Sequence, residues 1–118
     1  MGDRALIVLT DNNEVSPTIY LHWSGEDVPS ILERLQCRMG DHTGDVPYSA
    51  ARFVQEAIGD DTGNLSFGIW NTDEETRKAV INRDSDKLSE YSHGDAGFIV
   101  VDVDDYSWKA YGGYLEKR

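Results

Sequence analysis

The apolar positions follow two periods along the chain, and these predict its elements in order. Ala5 to Leu9 is an unbroken β-prone run, as expected of a strand covered on both faces. After the turn DNNE, Ile19, Leu21 and Trp23 alternate with Tyr20 and His22 in TIYLHW, so the first two strands read as a hairpin. Val28, Ile31, Leu32, Leu35 and Met39 then recur at helical spacing before Gly40, with Ser24 and Asp27 as a capping box and Pro29 in the first turn. Past the polar loop GDHTGD, Asp45 or Pro47 opens a second amphipathic helix whose stripe is Ala50, Phe53, Val54, Ala57 and Ile58, ended by Gly59. LSFGIW alternates Leu65, Phe67 and Ile69 against Ser66, Gly68 and Trp70, which predicts a third strand. Over residues 72–91 one short helix is expected, with Thr72 as N-cap and Glu75 at its third position, and DSDKLSEYS can support a further turn. Phe98 to Val103 and Trp108 to Leu115, joined by DDYS, form a second hairpin.

The order ββααβ(α)ββ predicts one α+β domain over residues 1–118, built on a mostly antiparallel or mixed sheet of about five strands with two amphipathic helices on one face. Ala5 to Leu9 and Phe98 to Val101 are apolar on both alternating faces, so the second face also needs cover. Two covers are in view. The 72–91 segment forms a minor core there, or a partner or second copy packs on an aromatic face carrying Tyr20, Trp70 and Tyr111.

Charge changes this picture more than composition does. The 118 residues are 39% hydrophobic, enough for a core, yet 22 acids against 11 bases leave a net charge of −11. Phosphates would repel such a chain, so nucleic acid and anionic membrane are not expected as direct partners. No run approaches the ~20 apolar residues of a membrane span, and Asp3 stands where a signal peptide carries cations, so the expected location is the cytoplasm. Cys37, the single cysteine, excludes an internal disulfide and fits a reducing compartment; it lies opposite the apolar stripe of its helix and is expected to be exposed. The densest acidic runs without a neighbouring base are Asp60, Asp61, Asp73, Glu74 and Glu75, followed by Asp102, Asp104 and Asp105. They form the candidate surface for a basic protein or nucleoprotein complex, against the plainer reading that they only keep the protein in solution.

Candidate chemistry is sparse. In YSHGDAGFIVVD, Ser92 and His93 are adjacent and would diverge in an extended segment, and there is no Gly-x-Ser-x-Gly elbow, so a hydrolytic triad is not supported. Gly94 and Gly97 suit tight turns, and Asp95 is expected to accept local backbone hydrogen bonds that fix the start of the strand. The catalytic alternative is a small metal-assisted or acid/base site in which His22, His93 and Asp95 converge, with Trp23 as a wall. Cys37 and His42 lack a partner pair for zinc, DSDKLSE lacks the glycine and spacing of an EF-hand, and no phosphate-binding glycine pattern occurs. No cofactor is expected.

The segments PTIYLHWSGEDVPSIL, SAARFVQEAI, GNLSFGIWN and YSHGDAGFIVVD together resemble a group of small acidic proteins encoded by bacterial phages, prophages and plasmids. The resemblance spans most of the chain and implies a context, a bacterial host cytoplasm, rather than a reaction. By charge and class it is similar to anti-CRISPR proteins that mimic nucleic acid, whose carboxylates occupy phosphate-binding grooves. The expected function is therefore a non-enzymatic inhibitor or regulator of a basic host protein. A structural accessory protein that dimerises through the second sheet face is the further alternative.

Overall fold

The computed structural model describes residues 3–59, 66–92 and 94–117. Its centre is β1 (Ala5–Thr10), every residue of which is buried. β1 pairs antiparallel with β2 (Thr18–Leu21), Ile7 facing Ile19, and parallel with β4 (Gly97–Asp102), Ile7 facing Ile99. β3 (Phe67–Trp70) adds to β2 and β5 (Trp108–Tyr111) to β4, both antiparallel, giving a five-stranded mixed sheet in the order β3-β2-β1-β4-β5. The α+β class and the mostly antiparallel sheet are those the sequence predicts.

Alternation along β1 divides the core in two. Ala5, Ile7 and Leu9, with Ile19, Leu21, Ile99 and Val101, join the cluster formed with α1 (Val28–Met39) and α2 (Val46–Ile58), where Leu35 and Phe53 are fully buried. Leu6 and Val8, with Phe98, Val100 and Tyr111, meet Ala79 and Val80 of α3 (Glu74–Asn82) and Leu88 of α4 (Ser85–Tyr91). The second face is thus covered by the chain's own 74–91 segment. A dimer through that face would have to displace these helices from β1 and β4. On the same face Tyr20 is half-buried against this cluster, and Trp70 beside it is 49% exposed.

Several local expectations are corrected by long-range contacts. Two helices, not one, fill 72–91, because Arg83 turns left-handed (φ 52°) and Asp84 then caps α4 by accepting from the Lys87 N–H. Asp73, not Thr72, caps α3; the Thr72 hydroxyl donates to the Ser16 carbonyl at 2.7 Å instead. Neither Ser24 nor Asp27 makes a side-chain cap. Asp3 takes that role from a distance: its carbonyl accepts from Gly25 N–H and its carboxylate from Glu26 N–H, both at 2.8 Å. β2 stops at Leu21, short of Trp23, and β5 at Tyr111, where the chain turns into a 3-10 turn, Tyr114–Lys117.

Candidate functional site

β1 and β4 run parallel, so their C-terminal ends emerge together, Thr10 facing Asp102. The turns that follow are therefore neighbours, and they are acidic. After β1, Asp11 closes a tight turn by accepting from the Asn13 and Glu14 N–H groups at 2.9 and 2.7 Å. After β4, Asp102 accepts from Asp104 N–H and Asp105 from Ser107 N–H, both at 2.9 Å. The Asn12 amide spans the two turns, reaching Asp102 at 3.4 Å.

Two other segments complete this end of the sheet. The loop between α1 and α2 is tied to it by Gly44 N–H, which donates to the Val103 carbonyl at 2.9 Å, and by Tyr106. The buried Tyr106 hydroxyl donates to the His42 carbonyl at 2.8 Å and lies 2.9 Å from the Ser49 hydroxyl. That loop carries Asp41 and Asp45, the latter accepting from Tyr48 N–H and lying 3.1 Å from His42. On the other flank, Thr72 meets Thr18 at 2.8 Å, so α3 begins beside the start of β2. Arg77 of α3 pairs with Glu74 at 3.5 Å and donates to the Asn13 carbonyl at 3.1 Å.

Asp73 and Glu74, and Asp102, Asp104 and Asp105, thus flank one turn that adds Asp11 and Glu14. Glu75 belongs to the same helix start but turns to Lys87, 3.6 Å away. Asp60 and Asp61 lie outside the described residues. The sequence gives no local sign that Asp11, Glu14, Asp41 and Asp45 belong with the other acids, because parallel pairing and the Tyr106 contacts bring them together. Among the described residues the bases here include Arg77, and Arg83 and Lys109, which line a recess with Asp102.

Donor groups hold several of these carboxyls below the ordinary range. For Asp11 they are the Glu14 and Asn13 N–H groups, for Asp45 the Tyr48 N–H and then His42, for Asp73 the Thr76 N–H, and for Asp105 the Ser107 hydroxyl and N–H. A carboxyl whose folded pKa is depressed contributes stability above its unfolded value, about 4, and loses it as pH falls through the folded value. Thermal stability is therefore expected to decline below about pH 4, and Asp45→Asn with Asp73→Asn should flatten that acid limb in melts recorded across the range.

Two residues of the catalytic alternative, His22 and Asp95, lie at the opposite end of the sheet. His22 follows β2 and Asp95 precedes β4, so both lie at the start of β1, where Asp3 N–H donates to the His22 carbonyl at 2.8 Å. Asp95 accepts from the Arg4 backbone N–H at 3.0 Å and from its guanidinium at 2.9 Å, a long-range tie to the start of β1. His22 Nδ1 lies 2.6 Å from the Tyr20 hydroxyl, and its ring packs edge-on to Trp23. Ser92 clamps α4 to β5, donating toward the Ser89 and Gly112 carbonyls, each 2.9 Å away. His93 lies outside the described residues. Among the described residues no three His, Cys, Asp or Glu side chains form a metal-binding group.

A broad open groove of about 710 Å³ crosses the outer faces of α1 and α2, lined by Ser30, Glu33, Arg34, Cys37, Arg38 and Glu56. Glu56 pairs there with both Arg34 and Arg38, and Cys37 is exposed, as its helical position predicts. No helix among the described residues is long and apolar enough to cross a membrane. No protein-family model matches the chain, and neither does any curated protein or solved structure.

Proposed function

We propose that this chain is a non-enzymatic binding protein that captures a basic, nucleic-acid-binding protein or complex through the acidic end of its sheet. The observation that carries this reading is that acids from turns far apart in sequence are brought to one end of the sheet, with few bases among the described residues there. Carboxylates fixed by backbone donors are pre-ordered, so a phosphate-binding groove would meet them at little entropic cost. The resemblance to phage, prophage and plasmid proteins supports an inhibitory or regulatory role of the anti-CRISPR type in a bacterial cytoplasm. It does so through class and charge.

The test separates binding charge from turn-building charge. Asp11, Asp73, Asp102 and Asp105 shape the backbone, whereas Glu75 makes a surface ion pair with Lys87 and its side chain is 72% exposed. An Asp104→Lys, Glu75→Lys variant should fold as stably as the parent, since exposed pairs contribute little. Its capture of a basic partner from bacterial lysate should weaken by about tenfold or more at low salt and depend less on added salt. Unchanged capture and unchanged salt dependence would reduce these charges to solubility.

A further inference from the structure

β3 closes the sheet on one side, and among the described residues no strand lies beyond it. His22 N–H donates to the Ser66 carbonyl at 3.1 Å, which makes Tyr20–Gly68 and Thr18–Trp70 the hydrogen-bonded pairs of β2 and β3. Phe67 and Ile69 therefore aim their N–H and C=O groups away from the sheet. Proteins usually blunt such an edge with charge, proline or a bulge. Phe-Gly-Ile-Trp has none of these, and Ile69 is 59% exposed and Trp70 49% exposed.

Each face beside this edge offers a different receptor. On the α2 face an apolar cleft of about 150 Å³, the size of one branched aliphatic side chain, is lined by Ile19, Val54, Ile58, Phe67, Gly68 and Ile69. On the other face Trp70 lies beside Tyr20, ring centroids 5.8 Å apart, an electron-rich surface suited to a cation. Asp73 and Glu74 follow directly at the C-terminal end of the strand.

We infer that the β3 edge takes up an extended segment of the basic partner by strand addition. Aliphatic side chains of that segment enter the α2 cleft, and its alternating lysines or arginines lie over Tyr20 and Trp70 and toward Asp73. Charge selects this occupant over a second copy, because pairing two copies would bring together chains of −11 each. The inference rests on the basic-partner reading above and adds to it the mode of attachment.

The probe is a peptide of about eight residues alternating valine and lysine, compared with its valine–glutamate counterpart, with amide exchange followed residue by residue. The Phe67 and Ile69 amides are expected to exchange about tenfold more slowly with the lysine peptide, and Ile69→Lys should weaken its binding by about tenfold, the worth of one buried aliphatic contact. If the lysine peptide binds with those amides unprotected, or does not bind, strand addition is overturned. Equal protection by the glutamate peptide would leave strand addition standing and remove the basic partner. A peptide-free dimer in sedimentation that Ile69→Lys converts to monomer would replace the partner segment with a second copy.

Discussion

Gly113→Ala is expected to lose about 3 kcal/mol or more, because the added methyl has no space to occupy. A Cβ at this position would lie 2.3 Å from the Ala96 carbonyl carbon and 2.4 Å from the Asp95 and Ala96 oxygens, all of them backbone. The two strands of chain are held at this distance by Tyr114 N–H donating to Asp95 at 2.8 Å and Leu115 N–H donating to Ala96 at 3.2 Å. Separating them breaks both bonds and shifts Gly97, where β4 begins. A domain of this length has a total stability of roughly 6–18 kcal/mol, so the loss is a large share of it. Urea unfolding measures it, and Gly94→Ala is the control: its φ is +79°, but nothing lies within 4 Å of the new methyl. That variant should lose only the left-handed backbone cost, about 1–2 kcal/mol. Equal midpoints for the two variants would show that the close approach at Gly113 relaxes freely.

Phe53→Ala should cost about 3–5 kcal/mol, through lost burial and a cavity between α2 and the sheet. Phe53 has no exposed surface and belongs to the buried cluster of Ile7, Leu35 and Ile99. Ile58, in the same helix but half-buried at the β3 cleft, should lose much less when cut to alanine. The comparison in chemical denaturation tests whether α2 is anchored near Phe53 and only loosely closed near β3. Similar losses at both positions would contradict that.

The sequence carries the fold wherever local period decides it. The α1 stripe Val28, Ile31, Leu32, Leu35 and Met39 is buried without exception, and the apolar runs of β1 and β4 mark them as the strands covered on both faces. In α2 the same period names Ala50 and Phe53 but passes over Val46 and Ser49, which are also buried, Ser49 with its hydroxyl against that of Tyr106. Contacts distant in sequence were not legible. Asp3 supplies the cap expected of Ser24, Arg4 occupies the Asp95 carboxylate, and a single left-handed residue, Arg83, divides one expected helix into two. The candidate site divides in the same way. Asp73, Glu74, Asp102, Asp104 and Asp105 stand out as dense runs, but their meeting at one end follows from β1 lying parallel to β4, a register that no short window of sequence contains.

That register also bears on how the chain folds. β1 finds β2 at once through a tight turn, but its other neighbour, β4, is separated from it by both helix pairs and β3. Until residues 97–102 have been synthesised, Leu6 to Leu9 have one open side, and the layer of α3 and α4 has only half of the surface on which it packs. Closing so long a loop for one parallel pair is a slow step. The early hairpin must therefore persist with an apolar edge unpaired, and in a crowded cell that interval opens the chain to aggregation or to a chaperone.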